Sequence, residues 1–301
     1  MKISVNVLPF SGNIPHTTQV TPVRPPTGSG RRKIHMQVLF GRALNRRKRR
    51  DRTSFERRFA YRADDLVLVS YPKSGSTWVR FILADVLLGN GEVGFLKVQH
   101  RLPEISASAA EHGVDFESLP SPRIIHTHAV YVPECRTVVY ILRDGRDVMV
   151  SFYFHQRKFH GFGGSFLEFL EYARRLSEWD EHVDSWIFNN PTLERVCVIR
   201  YEALLADTFH EMKKLLSFGK LKCSDDELRG AIERCSFENM QRIEKEKGLG
   251  YVGAGDTDIA FIRKGGSGHW RELFGETEKS VFKERYGRTL IKAGYESSLD
   301  W

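Results

Sequence analysis

The sequence predicts an α/β fold: a single domain in which helices flank a parallel β-sheet. Two observations lead to this prediction. The 301-residue chain is 41% hydrophobic, so it can bury a sizeable core. From residue 64 onward, short apolar runs alternate with longer segments of helical periodicity. Strands that alternate with helices need crossover connections, and these favour a parallel sheet covered on both faces.

The strands are predicted from short runs rich in β-branched residues. They cover Asp65–Ser70, Ile124–Thr127, Thr137–Leu142 and Arg195–Ile199. Apolar residues three or four positions apart predict the helices. The helices cover Thr77–Leu88, Asp144–Lys158, one long amphipathic helix over 166–187, and then 207–217, 225–234, 237–246 and 277–293. Together these elements predict a domain at residues 63–301.

Residues 1–62 are predicted to form a disordered leader that is rich in proline at first and basic afterwards. The first 50 residues contain 11 Lys or Arg and no Asp or Glu, whereas the other 251 contain 35 basic and 38 acidic residues. The net charge of +8 therefore comes from the leader. We interpret this segment as a solvated arm. An arm that contacts nucleic acid or acidic membranes, or that targets an organelle, is the alternative.

Cysteine usage and hydropathy indicate the cellular setting. The spacings of the four cysteines fit neither a zinc site nor a redox pair, which is typical of free thiols in a reducing compartment. These cysteines are Cys135, Cys197, Cys223 and Cys235. No uninterrupted apolar run approaches the length of a membrane span, and the N-terminus lacks a secretory signal. The chain is therefore expected to be cytoplasmic.

The first predicted strand runs into Tyr-Pro-Lys-Ser-Gly-Ser-Thr-Trp (71–78), directly before a helix. Ligands of open α/β sheets bind at the carboxyl ends of strands. Gly75 lets the backbone approach an anion, the helix start offers N–H groups, and Lys73 adds a positive charge. Further donors are the hydroxyls of Ser74, Ser76 and Thr77. An ordinary turn with a capping serine is the alternative, because the full G-x-x-x-x-G-K-[ST] pattern is absent.

Two further segments have the composition of anion sites. Arg143 follows the third predicted strand, and Ser151 lies two helical turns beyond it, so the two could share an oxyanion. Asp144 and Asp147 have capping-box spacing at this helix start, and a simple Arg143–Asp147 pair is the alternative. Residues 263–271 (RKGGSGHWR) predict a flexible loop that can fold over an anion, or a solvated surface turn.

These three segments resemble motifs of the soluble sulfotransferases, which use 3′-phosphoadenosine-5′-phosphosulfate (PAPS). The 71–78 segment is very similar to the family's 5′-phosphosulfate loop YPKSGTTW and differs only at Ser76. Arg143 and Ser151 match the family's 3′-phosphate motif. The 263–271 loop has every fixed position of R-K-G-x-x-G-x-W-[KR]. The resemblance covers roughly residues 64–296 and implies a fold like that of P-loop nucleotide kinases.

The resemblance also implies the remaining donor contacts. Three residues of the 263–271 loop would complete the 3′-phosphate site: Arg263, Lys264 and Gly265. Trp78, Tyr201 and Phe237 match aromatic positions around the adenine, whereas Cys235 replaces the usual threonine. Without the resemblance, these large aromatic residues would be interpreted as core.

The second predicted strand ends in His126-Thr127-His128, which places both imidazoles on one face. Histidine titrates near neutrality and suits a general base, but structural histidines or a metal pair are alternatives; no third ligand is evident nearby. The segment resembles the family's R-x-x-K-T-H strand. His128 then takes the position of the catalytic base, and Lys73 lies at the leaving phosphate. The family's second lysine, which holds the sulfuryl group, is His126 here.

The resemblance implies in-line transfer of a sulfuryl group from PAPS to a hydroxyl or amine of a small-molecule or glycan acceptor. The product would be 3′,5′-adenosine bisphosphate (PAP), and no metal is expected. A nucleotide or small-molecule kinase of related fold is the enzyme alternative, and a nucleic-acid-binding protein acting through its basic arm is the other. Residues 89–120 and 248–262 are expected to wall the acceptor pocket, with His100–Ser106 as a gate.

Overall fold

The computed structural model describes residues 55–301 except 57, 90–92, 177, 190–194, 251–254 and 257. The basic runs of the predicted leader lie outside the described residues. The role of the leader therefore stays a prediction. The boundary at residue 63 stays a prediction, although Phe55, Phe59 and Tyr61 already pack against the core. Among the described helices, none combines the length and apolarity that crossing a bilayer requires.

All four predicted strands are present, with ends within one residue of the expected ones. They are β1 (Leu66–Ser70), β2 (Ile124–Thr127), β3 (Thr137–Leu142) and β4 (Arg195–Arg200). Every pairing is parallel, and the order is β2-β1-β3-β4. The predicted α/β class is therefore confirmed. Because β1 lies between β2 and β3, the carboxyl ends of these three strands meet at one edge of the sheet.

The described helices cover both faces of the sheet. One layer packs on the core that contains Val67 and Tyr140, and the other on the core that contains Leu68 and Ile141. The helices are α1 (Ser76–Leu88), α2 (Phe95–Arg101), α3 (Ala107–Glu111), α4 (Gly145–His160), α5 (Phe166–Ala173), α6 (Trp179–Val183), α7 (Tyr201–Ala206), α8 (Thr208–Phe218), α9 (Asp225–Arg234), α10 (Phe237–Lys247) and α11 (Glu276–Lys292), with a π-helical turn at Asp184–Phe188 and a 3₁₀ turn at His269–Glu272.

The prediction of one long helix over 166–187 is wrong. Helix α5 ends at Ala173, and α6 begins at Trp179 after an extended Glu178. The Trp179 indole packs against Gly145, where an added Cβ would lie 2.8 Å from the ring. The periodic apolar residues of both pieces are buried: Phe166, Phe169, Leu170, Ala173, Trp179 and Val183. Periodicity identifies buried positions, but it does not show whether one helix axis continues through them.

A buried ion pair joins the amino ends of β1 and β2. Arg123 donates from Nε and Nη2 to the two carboxylate oxygens of Asp65, both at 2.7 Å. The side chains are 0% and 2% exposed, so this pair is shielded from water. It fixes the two strands whose opposite ends carry the lysine turn and the histidines.

Candidate active site

The turn after β1 has the backbone of an anion-binding loop. Lys73 and Gly75 both have positive φ angles, 73° and 100°. A Cβ at position 75 would lie 2.5 Å from Cδ2 of Tyr201, so only glycine fits there. Gly75 is the N-cap residue of α1, and within the described chain no side chain caps this helix. The serine cap of the ordinary-turn alternative is therefore absent from the described residues.

Lys73 lies among other cations. It is half-buried, and its ammonium lies 4.3 Å from the ring centroid of Phe261. Burial, together with the nearby guanidinium groups of Arg143 and Arg263, lowers the pKa of Lys73 to about 7. Three positive groups from three separate motifs thus face one another, an arrangement that an anion would stabilise.

Arg143 links the lysine turn to the glycine-rich loop. Its Nη1 donates to the carbonyl of Lys73 and its Nη2 to the carbonyl of Gly266, both at 3.1 Å. The guanidinium also lies 4.1 Å from the ring centroid of Tyr201. Its Nε is buried and has no hydrogen-bond partner within the described residues. The predicted alternative, in which Arg143 simply pairs with Asp147, does not match these contacts.

Asp147 holds the glycine-rich loop against α4. Its carboxylate accepts hydrogen bonds from the backbone N–H of Gly268 at 2.6 Å and of Trp270 at 2.8 Å. The expected capping box is wrong, because Asp144 caps α4 by accepting from Arg146 at 2.9 Å. The sequence carried no signal for the Asp147 contact, which joins segments more than a hundred residues apart.

One cleft collects residues of all three motifs. Lys73, Ser151 and Arg263 line it together. Among the described residues, the lining comprises Lys73, Ser151, Phe154, His155, Lys158, Phe159, Ala260, Phe261 and Arg263. Lys264 differs, because its ammonium pairs with the carboxylate of Glu272 on the surface. The hydroxyl-bearing residues of the turn are buried at Ser74 and Ser76 and half-buried at Thr77.

The three predicted adenine-contacting aromatics border the same region. The Trp78 and Tyr201 rings meet edge to face, with centroids 6.3 Å apart. Trp78 Nε1 donates to the backbone carbonyl of Cys235 at 3.0 Å. The Phe237 ring packs against Gly265, where an added Cβ would lie 3.0 Å away. Position 235 thus contributes a carbonyl to this wall, and the thiol takes no part in that contact.

The two histidines lie at the end of β2, with ring centroids 4.4 Å apart. His128 Nδ1 lies 2.6 Å from the carbonyl oxygen of Ser70, and because a carbonyl only accepts, this nitrogen carries the proton. Its Nε2 therefore has the lone pair that a general base needs. Burial lowers the pKa of His126 well below its usual range, and His128 adds to this effect. His126 is consequently neutral.

Comparison with known proteins decides the family. The sequence model described as "Sulfotransferase domain" matches residues 63–294. This chain belongs to the sulfotransferase family. Sulfotransferase 1E1 of Homo sapiens is 31% identical over 257 residues, which cover 77% of this chain and 85% of that protein. Sulfotransferase 1 family member D1 of Mus musculus is 30% identical, with the same coverage.

Solved structures agree with this sulfotransferase assignment. Mouse sulfotransferase SULT7A1, solved in complex with PAP, is 26% identical and superposes with a TM-score of 0.58 over 81% of this chain and 92% of that one. Retinol dehydratase, solved with androsterone and the inactive cofactor PAP, has a TM-score of 0.61 over 77% of this chain and 82% of that one. Its 21% identity shows the shared fold only. The predicted family and fold are confirmed.

Sequence reasoning missed two features of this sulfotransferase site. Glu104 forms a parallel backbone bridge with His126, and its carboxylate lies 3.9 Å from His126 Nδ1. Lys158 donates to the carbonyls of Asp256 and Ile259 and so fixes the segment before Arg263. Glu104 lies in the predicted gate, but its position 22 residues before His126 gave no indication of contact.

Proposed function

We propose that this sulfotransferase transfers the sulfuryl group of PAPS to a hydroxyl or amine of a small-molecule acceptor. One observation carries the proposal: Arg143 donates to the backbone of Lys73, and the two residues share a cationic environment with Arg263. A nucleotide with anionic groups at its 5′ and 3′ ends matches this group of three cationic side chains. Membership of the sulfotransferase family favours this activity over the kinase alternative.

The donor would lie along the edge formed by β1 and β3. Its 5′-phosphosulfate would meet Lys73 and the start of α1, where the dipole and the N–H groups favour negative charge. Its 3′-phosphate would meet Arg143, Ser151 and Arg263. The adenine would lie among the aromatic residues Trp78, Tyr201 and Phe237. Lys264 could join the 3′-phosphate only by leaving Glu272, so its contribution is expected to be smaller.

His128 and Lys73 would divide the chemistry between them. The acceptor proton goes to His128 Nε2, while Nδ1–H stays on the Ser70 carbonyl and keeps the ring oriented. As the sulfur–oxygen bond to the donor breaks, negative charge grows on the leaving phosphate, and the Lys73 ammonium stabilises it. The transition state is loose, as in phosphoryl transfer, so positioning and electrostatics supply most of the rate.

His126 does not replace the charge of the lysine that the family pattern has at this position. It is buried and neutral, and its Nε2 lies 3.3 Å from the hydroxyl of Ser70. We therefore assign it no catalytic charge. The cationic help for the sulfuryl group would come from Lys73 and from the helix start.

The proposed function is tested by thermal stabilisation and by transfer of labelled sulfuryl groups. PAP should raise the melting temperature of the full chain, and ATP with Mg²⁺ should not. Labelled PAPS should then be tested with phenols, alcohols, sugars and amines, since the acceptor class is open. Stabilisation by ATP–Mg²⁺ but not by PAP would favour the kinase alternative. A cytoplasmic location and a nucleic-acid contact of the basic arm stay predictions.

A further inference from the structure

We propose that Glu104, His126 and His128 form a binding site for a transition-metal dication such as Zn²⁺, and that the bound ion inhibits the enzyme. The atoms that could ligate a metal lie within 4.8 Å of one another. The sequence contained the His-x-His pair without a recognisable third ligand. The fold supplies that ligand from the segment before α3.

The backbone holds the three residues in a fixed relation. Ile105 donates its N–H to the His126 carbonyl at 2.7 Å, and His126 donates its N–H to the Pro103 carbonyl at 2.8 Å. These bonds make the chain around Glu104 an extra strand-like neighbour of β2. His126 and His128 lie two positions apart and share a face. Backbone hydrogen bonds therefore anchor the site to the edge of the sheet.

Two imidazoles and a carboxylate are the protein ligands of several catalytic zinc sites, in which the fourth position stays open. His126 Nδ1 fits this role, because it is buried and has no hydrogen-bond partner within the described part of the chain. It lies 3.9 Å from the Glu104 carboxylate. With zinc–ligand bonds of about 2.0–2.1 Å, tetrahedral donors lie about 3.4 Å apart, so small side-chain rotations would complete the site.

The hydrogen bonds around the histidines are those that orient metal ligands. His128 Nδ1–H donates to the Ser70 carbonyl, so the unprotonated nitrogen of this ring is Nε2. The Ser70 hydroxyl lies 3.3 Å from His126 Nε2, the ring nitrogen that the proposed site does not use as a ligand. In metal sites, hydrogen bonds to the nitrogen that does not bind the metal fix both the tautomer and the orientation of a ligating histidine. Ser70 thus serves both rings.

Inhibition follows from the role of His128 and in this respect rests on the proposed function. A metal ion on Nε2 occupies the lone pair that would accept the acceptor's proton. The binding itself does not depend on catalysis. A protonated lysine at position 126, as in the family pattern, could not be a ligand, so His126→Lys is a matched variant.

The test is a titration of the full chain, freed of metal by chelation, with Co²⁺ as a spectroscopic substitute for Zn²⁺. We expect saturable d–d absorption that Zn²⁺ abolishes by competition. His126→Lys and Glu104→Gln should each weaken Co²⁺ binding at least about tenfold, whereas exposed His210→Ala should not change it. Melting curves of the variants check that they are folded. Absent d–d absorption, or equal Co²⁺ affinity in both variants and the wild type, would overturn the site.

A second measurement addresses inhibition. Zn²⁺ should reduce sulfuryl transfer by the wild-type enzyme, a chelator should restore it, and Glu104→Gln should be less sensitive. Co²⁺ binding without any effect of Zn²⁺ on turnover would contradict the proposed occupancy of His128. The absorption titration does not use turnover, so a chain that bound Co²⁺ but transferred no sulfuryl group would contradict the proposed function alone.

Discussion

The guanidinium of Arg143 donates a hydrogen bond to the backbone carbonyl of Lys73, with 3.1 Å between Nη1 and the oxygen. This bond joins the residue after β3 to the turn after β1. Since the other Arg143 amino group reaches Gly266, three segments distant in sequence form one cationic site. The positions of both cations are thus coupled through the backbone. A substitution at either residue should therefore change the affinity for the nucleotide.

Gly75→Ala should weaken PAP binding more than Gly89→Ala, the same change at the other end of α1. The added Cβ would lie 2.5 Å from Tyr201, and the φ of 100° is unfavourable for alanine. Gly89→Ala is the matched control, since position 89 also has a positive φ but an added Cβ there meets no atom of the described residues within 4 Å. PAP titration and urea unfolding of both variants check this. Equal PAP affinity of the two variants would show that the Gly75–Tyr201 contact is unimportant.

PAP affinity should fall as the pH rises above about 7. Burial and the nearby Arg143 and Arg263 lower the pKa of Lys73 to about 7, so the free protein loses this ammonium proton above that pH. A bound phosphate anion stabilises the charged form and raises the pKa, so binding takes up a proton. Calorimetry in buffers of different ionisation enthalpy measures this uptake.

Lys73→Met is the control for this pH dependence, because the phosphates of PAP also titrate. The variant should bind PAP more weakly at neutral pH and lose the proton uptake that belongs to the lysine. The same proton uptake in wild type and variant would assign the titration to another group.

Arg123→Ala should destabilise the fold by about 3–5 kcal/mol, because it leaves the buried Asp65 carboxylate without its partner. The control is Lys213→Ala, which removes an exposed ion pair with Asp225 and should cost at most about 1 kcal/mol. Urea unfolding gives both values. A cost for Arg123→Ala as small as that of the control would mean that the buried pair does not tie β1 to β2.

His128→Asn should reduce the turnover number at least about 100-fold and leave PAP affinity unchanged. Asparagine can keep a donor toward Ser70 but cannot accept the proton at the position of Nε2. Exposed His210→Ala controls for the loss of a histidine as such. Steady-state transfer from labelled PAPS, with a parallel PAP titration, separates the two effects. Full turnover in His128→Asn would remove this residue from the proposed role.

Sequence patterns predicted the strands well, because β1 and β3 are buried on both faces and consist almost entirely of apolar residues. They did not predict the break at Glu178, since both helical pieces keep the same apolar spacing. Local motifs likewise gave the turn around Lys73. They could not give Glu104, whose place beside His126 depends on how the intervening chain returns to the sheet.

Lys264 shows what a motif leaves open. The loop motif names it as a phosphate contact, and this stays a prediction; in the structure its ammonium pairs with the carboxylate of Glu272. A motif specifies which residue types are present, but it does not specify the direction of a long, flexible side chain. The contact of Asp147 with Gly268 is non-local in the same way, and only the folded chain reveals it.

The central claim is that one cleft holds both phosphate ends of a single nucleotide, and calorimetric titration with PAP, 5′-AMP and 3′-AMP tests it most directly. PAP should bind the full chain at least about tenfold more tightly than either monophosphate, as expected when each end adds charge-assisted hydrogen bonds. Lys73→Met should remove mainly the advantage of the 5′-phosphate, and Arg143→Lys mainly that of the 3′-phosphate, whereas Arg157→Lys on the exposed face of α4 should change neither. Equal affinity of the wild-type chain for all three nucleotides would contradict the account.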